Sequence, residues 1–198
     1  MQPGSSLRTF LDGYIHRAFL FATVQGEAVK KILFALLVSS VGATGLATAS
    51  TAHAQGDVVT MKQSVTPGTI IVRTKERRLY YVTGAGQAIS YPVGVGRAGK
   101  QWAGTSYITG KYSHPAWSPP AEVRRDKPYL PQVIAGGSPG NPMGVAAMTL
   151  AGGEYAIHGT NQPSSIGHFV SYGCIRMFND DITDLYGRVS VGTRVVVE

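Results

Sequence analysis

The chain of 198 residues contains one cysteine, Cys174, in the run Ser171-Tyr172-Gly173-Cys174-Ile175-Arg176-Met177. A histidine, His158, opens His158-Gly159-Thr160-Asn161, and fifteen residues separate it from the cysteine. Acyl transfer needs a nucleophile, a base to activate it and donors for the developing oxyanion. An unassisted thiol, with a pKa of about 8.5, is only a few per cent thiolate at neutral pH. A neighbouring imidazole raises that fraction by forming a thiolate–imidazolium pair. Gly173 permits a sharp backbone turn beside the sulfur, so that amide N–H groups can point at a carbonyl oxygen. Two other readings compete: a small buried hydrophobe, and a metal site built from His158, His168 and Cys174. The gaps of nine and five residues in that trio match no common zinc spacing.

These residues must be held by strands more than by helices. Thr69–Arg73 and Leu79–Thr83 are β-branched and aromatic runs around the charged turn Thr74–Arg78, which predicts a hairpin. Ala88–Gly96 and Ser106–Tyr112 continue the pattern. Gly144–Leu150 and Glu154–His158 predict a second hairpin around Ala151-Gly152-Gly153, with His158 at its end. Between them, residues 113–143 carry seven prolines (115, 119, 120, 128, 131, 139 and 142), too many for a helix or a central strand. That segment is expected to be a long ordered loop, and loops of such length are usually functional. One helix is expected after Asn179 as N-cap, with Asp180 and Asp181 in its first turn and Ile182, Leu185, Tyr186 and Val189 along one stripe. Thr193–Val197 predicts a final strand. The fold class expected is mostly β with one or two helices.

The first quarter of the chain has a different character. Residues 29–54 begin with Lys30-Lys31, continue through the apolar core Ile32–Val38 and end at Ala52-His53-Ala54, the pattern of a cleaved signal peptide. An apolar run this short falls below the roughly 20 residues that a stable membrane span needs. Residues 1–28 are expected to be an upstream extension, with Val29 as the true start, and residues 55–67 a short linker before a domain over 68–198. Cleavage after Ala54 would leave 144 residues of net charge +5, against +7 for the whole chain. The single cysteine excludes an internal disulfide, and a free thiol in an exported chain invites a chemical explanation. Lys/Arg-rich runs beyond Arg124-Arg125 are lacking, which argues against nucleic acid as a partner.

The run His158-Gly-Thr-Asn-x-Pro-x-Ser-Ile-Gly followed by Ser171-x-Gly-Cys-Ile-Arg-Met-x-Asn-x-Asp resembles the L,D-transpeptidase catalytic domain, the YkuD family. Tyr91-Pro-Val-Gly-Val-Gly96, Pro115-Ala-Trp-Ser-Pro-Pro120, Gly136-Gly137, Asn141-Pro-Met-Gly144, Tyr155-Ala-Ile-His158 and the closing Val189–Val197 are similar too, so the likeness runs over about residues 68–198. It implies a β-sandwich of mixed sheets with one or two short helices and a long Pro-rich loop. It implies Cys174 as nucleophile, His158 as proton acceptor and donor, Gly173 as an oxyanion amide and Gly159 as the group that orients His158. Arg176 is implied as a clamp for a substrate carboxylate, with Ser171, Tyr172 and Trp117 as further substrate-binding residues; Tyr112 is a further candidate for the groove.

The reaction implied is attack on the meso-diaminopimelate–D-Ala bond of a peptidoglycan tetrapeptide stem, then transfer of the acyl group from a thioester to an amine of a second stem or of an outer-membrane protein. Export to the periplasm or cell wall of a Gram-negative-type bacterium goes with it; no cofactor and no metal is implied. An L,D-carboxypeptidase or endopeptidase on the same stem, or a non-catalytic peptidoglycan-binding protein, are the alternatives. Two departures from the family pattern stand out. Tyr172 occupies the place of a second histidine before Gly-Cys, with His168 as the nearest substitute imidazole. Trp102-Ala-Gly-Thr-Ser-Tyr107 lacks the usual proline.

Overall fold

Ile70, Ile71 and Val72 are β-branched and buried, and they form strand β2 (Ile70–Arg73) of the predicted hairpin with β3 (Arg78–Gly84). The turn between them carries the charged residues 74–77, with Arg77 in the left-handed region at φ 53°. The structure, a computed structural model, describes residues 56–198. The extension and signal peptide expected over residues 1–54 lie outside the described residues. Among those described, no helix is long and apolar enough to cross a membrane.

Among the described residues, eleven strands are formed. β4 (Gln87–Pro92) pairs antiparallel with β3, and β1 (Asp57–Thr60) pairs antiparallel with β4 at the edge. β1 falls within the stretch expected to be a linker: Val58 and Val59 find a register partner in Ile89 and Ala88, and that pairing draws the segment into the sheet. β5 (Val95–Gly96) is followed by the ten-residue β6 (Gly104–Ser113). The first half of β6 pairs with β11 (Arg194–Val197), and its second half, past a register shift between Ile108 and Gly110, pairs with β7 (Ala146–Leu150). β6 thereby joins two mixed sheets. β7 continues antiparallel into β8 (Ala156–His158), which pairs parallel with β10 (Ile175–Arg176). β11 pairs parallel with β2 on its other side, and β5 pairs parallel with β9 (Phe169–Ser171). The mostly-β architecture of mixed sheets with few helices is as expected.

The core lies on the inner faces of these strands, with Ile70, Val72, Leu79, Tyr91, Met148, Ile157 and Ile175 fully enclosed. Helix α2 (Asn179–Arg188) closes it through Ile182 and Leu185, one turn apart on one face, with Val189 just beyond. Truncating either Ile182 or Leu185 to Ala would cost about 2–5 kcal/mol. Asn179 is the first helical residue rather than the N-cap; Phe178 takes the cap position, and no side chain caps the helix. The Asn179 side chain is engaged elsewhere, as described below.

The proline-rich segment contains one short helix, α1 (Ala121–Asp126), where none was expected. The prolines permit it because of where they stand: Pro119 and Pro120 precede the first turn, where helical N–H groups have no partner in any case. The stretch 121–127 is itself free of proline. Around α1 the segment is pinned by the buried Asn141, whose amide donates to the carbonyls of Pro115 (2.8 Å) and Ala135 (3.1 Å) and whose Oδ1 accepts from the Met143 N–H (2.9 Å).

Candidate active site

His158 is the last residue of β8, and the parallel register sets it opposite Arg176 of β10. Partners at one register position point to the same face of a sheet, so both side chains reach the same cavity. That cavity has a volume of ≈ 290 Å³ and is lined by His158, Cys174 and Arg176 together with Trp117, Ser171 and Tyr172. Six of the residues expected at the site are therefore brought together, from β8, β9, the β9–β10 loop, β10 and the proline-rich segment, whereas Tyr112 is not among them.

The His158 ring is buried, and its Nδ1 lies 2.7 Å from the Gly159 carbonyl. A carbonyl can only accept, so Nδ1 carries the hydrogen and Nε2 is left as the basic nitrogen. Burial, and next the positive charge of Arg176, push its pKa down to about 4. The Cys174 thiol is pushed up, chiefly by burial and further by the Glu154 carboxylate, against opposing contributions from the Ala156 backbone and Arg176. Its hydrogen bond, at 3.9 Å, goes to the Glu154 carbonyl. Both shifts favour the neutral forms of the thiol and the imidazole, which line the same cavity. The thiolate–imidazolium pair expected from the sequence is thus disfavoured at rest, because burial penalises both charged partners.

The loop that carries the nucleophile is held from within and behind. The buried Ser171 hydroxyl donates to the Cys174 carbonyl at 2.6 Å and accepts the Gly173 N–H at 3.1 Å. That bond occupies the amide expected to hold an oxyanion, and Ser171 serves as the pin of the turn. Gly173 has φ 122°, and a Cβ there would run into the Tyr155 ring. Tyr155 in turn stacks on Trp102, with centroids 5.1 Å apart and planes 8° from parallel, and Trp102 Nε1 donates to the Gly173 carbonyl at 2.9 Å. Behind His158, Asn179 Oδ1 accepts the Thr160 N–H at 3.0 Å, and a Cβ on Gly144 or Gly159 would collide with that same oxygen. The glycines at both positions let α2 press its first residue against the base.

Arg176 is substantially desolvated, which lowers its pKa, and its Nε is buried without a hydrogen-bond partner. Neither Asp180 nor Asp181 pairs with it among the described residues. The guanidinium also lines the cavity, and its planar fork is suited to a carboxylate. Tyr172 lines the cavity, but its hydroxyl donates to Asp126 at 2.8 Å. His168 and His114 are exposed and outside the cavity lining, so neither replaces an imidazole there; Tyr112 is likewise exposed and outside it.

The sequence reading passed over Lys100, Glu122, Val123, Glu154 and Tyr155, which also line the cavity. Lys100, in the loop after β5, and Glu122, in the first turn of α1, form an ion pair. Nothing in local spacing marks them, since they meet only through the fold. Tyr155 stands just before β8, and strand alternation would set it on the face opposite His158, so local periodicity did not mark it.

The L,D-transpeptidase catalytic domain model matches residues 67–197. Among curated proteins, the chain is 42% identical over 135 residues to the probable L,D-transpeptidase YbiS of Escherichia coli K12, covering 64% of this chain and 43% of that protein. It is 40% identical over 153 residues to the probable L,D-transpeptidase ErfK/SrfK of Salmonella typhimurium, covering 71% of this chain and 48% of that one. The chain thus spans less than half the length of these relatives. Among solved structures, the catalytic domain of the E. faecium L,D-transpeptidase acylated by ertapenem superposes with a TM-score of 0.52 at 19% identity, over 69% of this chain and 100% of that domain.

Proposed function

Since this chain belongs to the L,D-transpeptidase catalytic domain family, we propose that it is a cell-wall transpeptidase in which Cys174 and His158 carry an acyl group between peptidoglycan stems. The observation that carries this reading is that Cys174, in the loop before β10, lines one cavity with His158 and Arg176, which face each other in the register of β8 and β10.

The donor is a tetrapeptide stem, cleaved at the bond between meso-diaminopimelate and its terminal D-Ala. Arg176, which lines the cavity, holds a carboxylate of the stem through its guanidinium. As Sγ of Cys174 attacks the carbonyl carbon, Nε2 of His158 takes the thiol proton, and the C=O electron pair moves onto oxygen. Gly173 N–H is committed to Ser171, so the main-chain amides of Tyr172 and Cys174 take the oxyanion, worth roughly 3–4 kcal/mol per donor. When the tetrahedral adduct collapses, the C–N bond breaks and His158 returns its proton to the leaving D-Ala amine. The thioester on Cys174 is then attacked by an amine of a second stem or of an outer-membrane protein. His158 accepts the amine proton, the C–S bond breaks, and the proton passes to the thiolate. The site of action is the periplasmic or cell-wall face, reached through the signal peptide read over 29–54.

Mass spectrometry of the full chain with ertapenem tests the reading. A β-lactam ring opened by the thiol adds the whole drug mass, and the adduct must vanish in Cys174→Ala. No adduct, or an adduct that survives the substitution, overturns it. A tetrapeptide donor with and without an amine acceptor then separates cross-linking from hydrolysis: a product that incorporates the acceptor supports transfer, and tripeptide alone argues for a carboxypeptidase.

A further inference from the structure

Tyr172 stands two residues before the nucleophile, yet its polar end serves the opposite side of the cavity. Its hydroxyl donates to Asp126 Oδ2 at 2.8 Å, and Asp126 is the last residue of α1. Arg97 lies over the phenol ring, 4.0 Å from its centroid, and donates to the same carboxylate oxygen at 3.0 Å. The Arg97 backbone N–H also donates to the Ser171 carbonyl at 2.9 Å. Three side chains from three separate segments thereby close on one another: the loop after β5, the end of α1, and the nucleophile loop. The Lys100–Glu122 ion pair ties the first two of these segments a second time, near the start of the helix.

α1 has little else to fix it. It is six residues long, far too short to hold its own conformation in water, and Val123 is its one buried residue. Fully burying one valine contributes about 1.5–3 kcal/mol, a quantity that hydrogen bonds to charged groups can match. Pro120, Glu122 and Val123 line the same cavity as Cys174 and Arg176. Whatever fixes α1 therefore sets the shape of the space that the acyl donor must enter.

We propose that Tyr172 is a positioning residue that, with Arg97, clamps Asp126 and so fixes the α1 wall of the cavity relative to the nucleophile loop. The phenol does not act on the thiol; it acts on the fit of the donor. This inference rests on the transpeptidase reading only where the ligand is an acyl donor, since the clamp itself is independent of the chemistry.

The test compares the full chain with Tyr172→Phe, Asp126→Asn and the double variant. Phenylalanine keeps the ring under Arg97 and removes only the hydroxyl. Two readouts are taken, hydrogen exchange of the α1 amides and acylation by ertapenem as a function of its concentration. Each single variant is expected to exchange its α1 amides at least about threefold faster, and the half-saturating ertapenem concentration to rise roughly three- to tenfold, as for a partly exposed charged hydrogen bond. The limiting acylation rate of Asp126→Asn, whose residue lies outside the cavity lining, should stay within about twofold, and the double variant should be no worse than the more affected single one. Unchanged exchange, losses that multiply in the double variant, or a fall in the limiting rate at constant half-saturation would overturn the proposal. If the unaltered chain takes up no ertapenem at Cys174, the transpeptidase reading falls, and the exchange data alone still decide whether the clamp exists.

Discussion

Arg176 stands opposite His158 in the parallel register of β8 and β10, and the Met177 N–H that follows it donates to the His158 carbonyl at 2.8 Å. This pairing gives the buried base a neighbouring cation and brings the guanidinium to the same cavity. The strand contact therefore adds to burial in holding the imidazole neutral and supplies the cavity with a positive charge.

Replacing Arg176 by Lys should separate these two roles. A lysine keeps a positive charge but loses the planar fork, so the half-saturating donor concentration should rise about tenfold or more, as for a charged hydrogen bond. The His158 pKa should change little in that variant. In Arg176→Met it should climb from about 4 toward the ordinary imidazole value, which an NMR titration of the ring protons would read directly.

The thiol's pH response follows from burial. Because Cys174 is held above the usual thiol range and His158 below the usual imidazole range, the neutral pair persists across neutral pH. Alkylation by iodoacetamide, which needs thiolate, should keep rising with pH through 8 and 9. A plateau between about pH 5 and 8 would instead report a resting ion pair. Acylation assisted by the neutral imidazole should be nearly flat from pH 6 to 8.

Gly173 permits a graded experiment. Gly173→Ala puts a methyl group into the Tyr155 ring at φ 122°, so acylation at Cys174 should be lost and melting lowered. Trp102→Phe keeps an aromatic face against Tyr155 and removes only the indole donor to the Gly173 carbonyl. Its cost should be about 1 kcal/mol of stability, measurable by urea denaturation, with acylation slowed rather than abolished.

The parts of the site written within one strand or one turn were legible: His158 at a strand end, Gly159 behind it, the turn of Ser171 to Cys174 and Arg176 just beyond. Both hairpins were legible for the same reason, since period-two burial and turn residues are local signals. What escaped was set by contacts between distant segments. The Gly173 amide was assigned to an oxyanion before Ser171 could be seen to occupy it, and Asn179 looked like a cap until the loop after His158 was seen to need its side chain. α1 escaped because the count of prolines obscured their position; six residues without one sufficed for a turn of helix.

Asp181 predicts a stability effect away from the chemistry. It is 3% exposed, and its pKa is raised to about 6, first by burial and then by Asp180, Asp184 and Asp57, with Arg78 opposing. The folded state thus binds a proton that the unfolded state has released, and stability falls as pH rises from about 4 through 6. Asp181→Asn should stabilise the protein by about 1–3 kcal/mol at pH 7.5 and by little at pH 3.5. His158 acts in the opposite sense, its contribution being lost as pH falls from about 6.5 through 4. The difference in urea midpoints between the variant and the unaltered chain at the two pH values isolates the Asp181 part.

Strand β11 is not an edge strand. β11, at 194–197, lies between β2 and β6 and carries the pairing that links the two. Until those residues leave the ribosome, β2 lacks its parallel neighbour and the two halves of the strand framework have no common seam. Closure then joins residues about 120 positions apart, and such distant partners make folding slow.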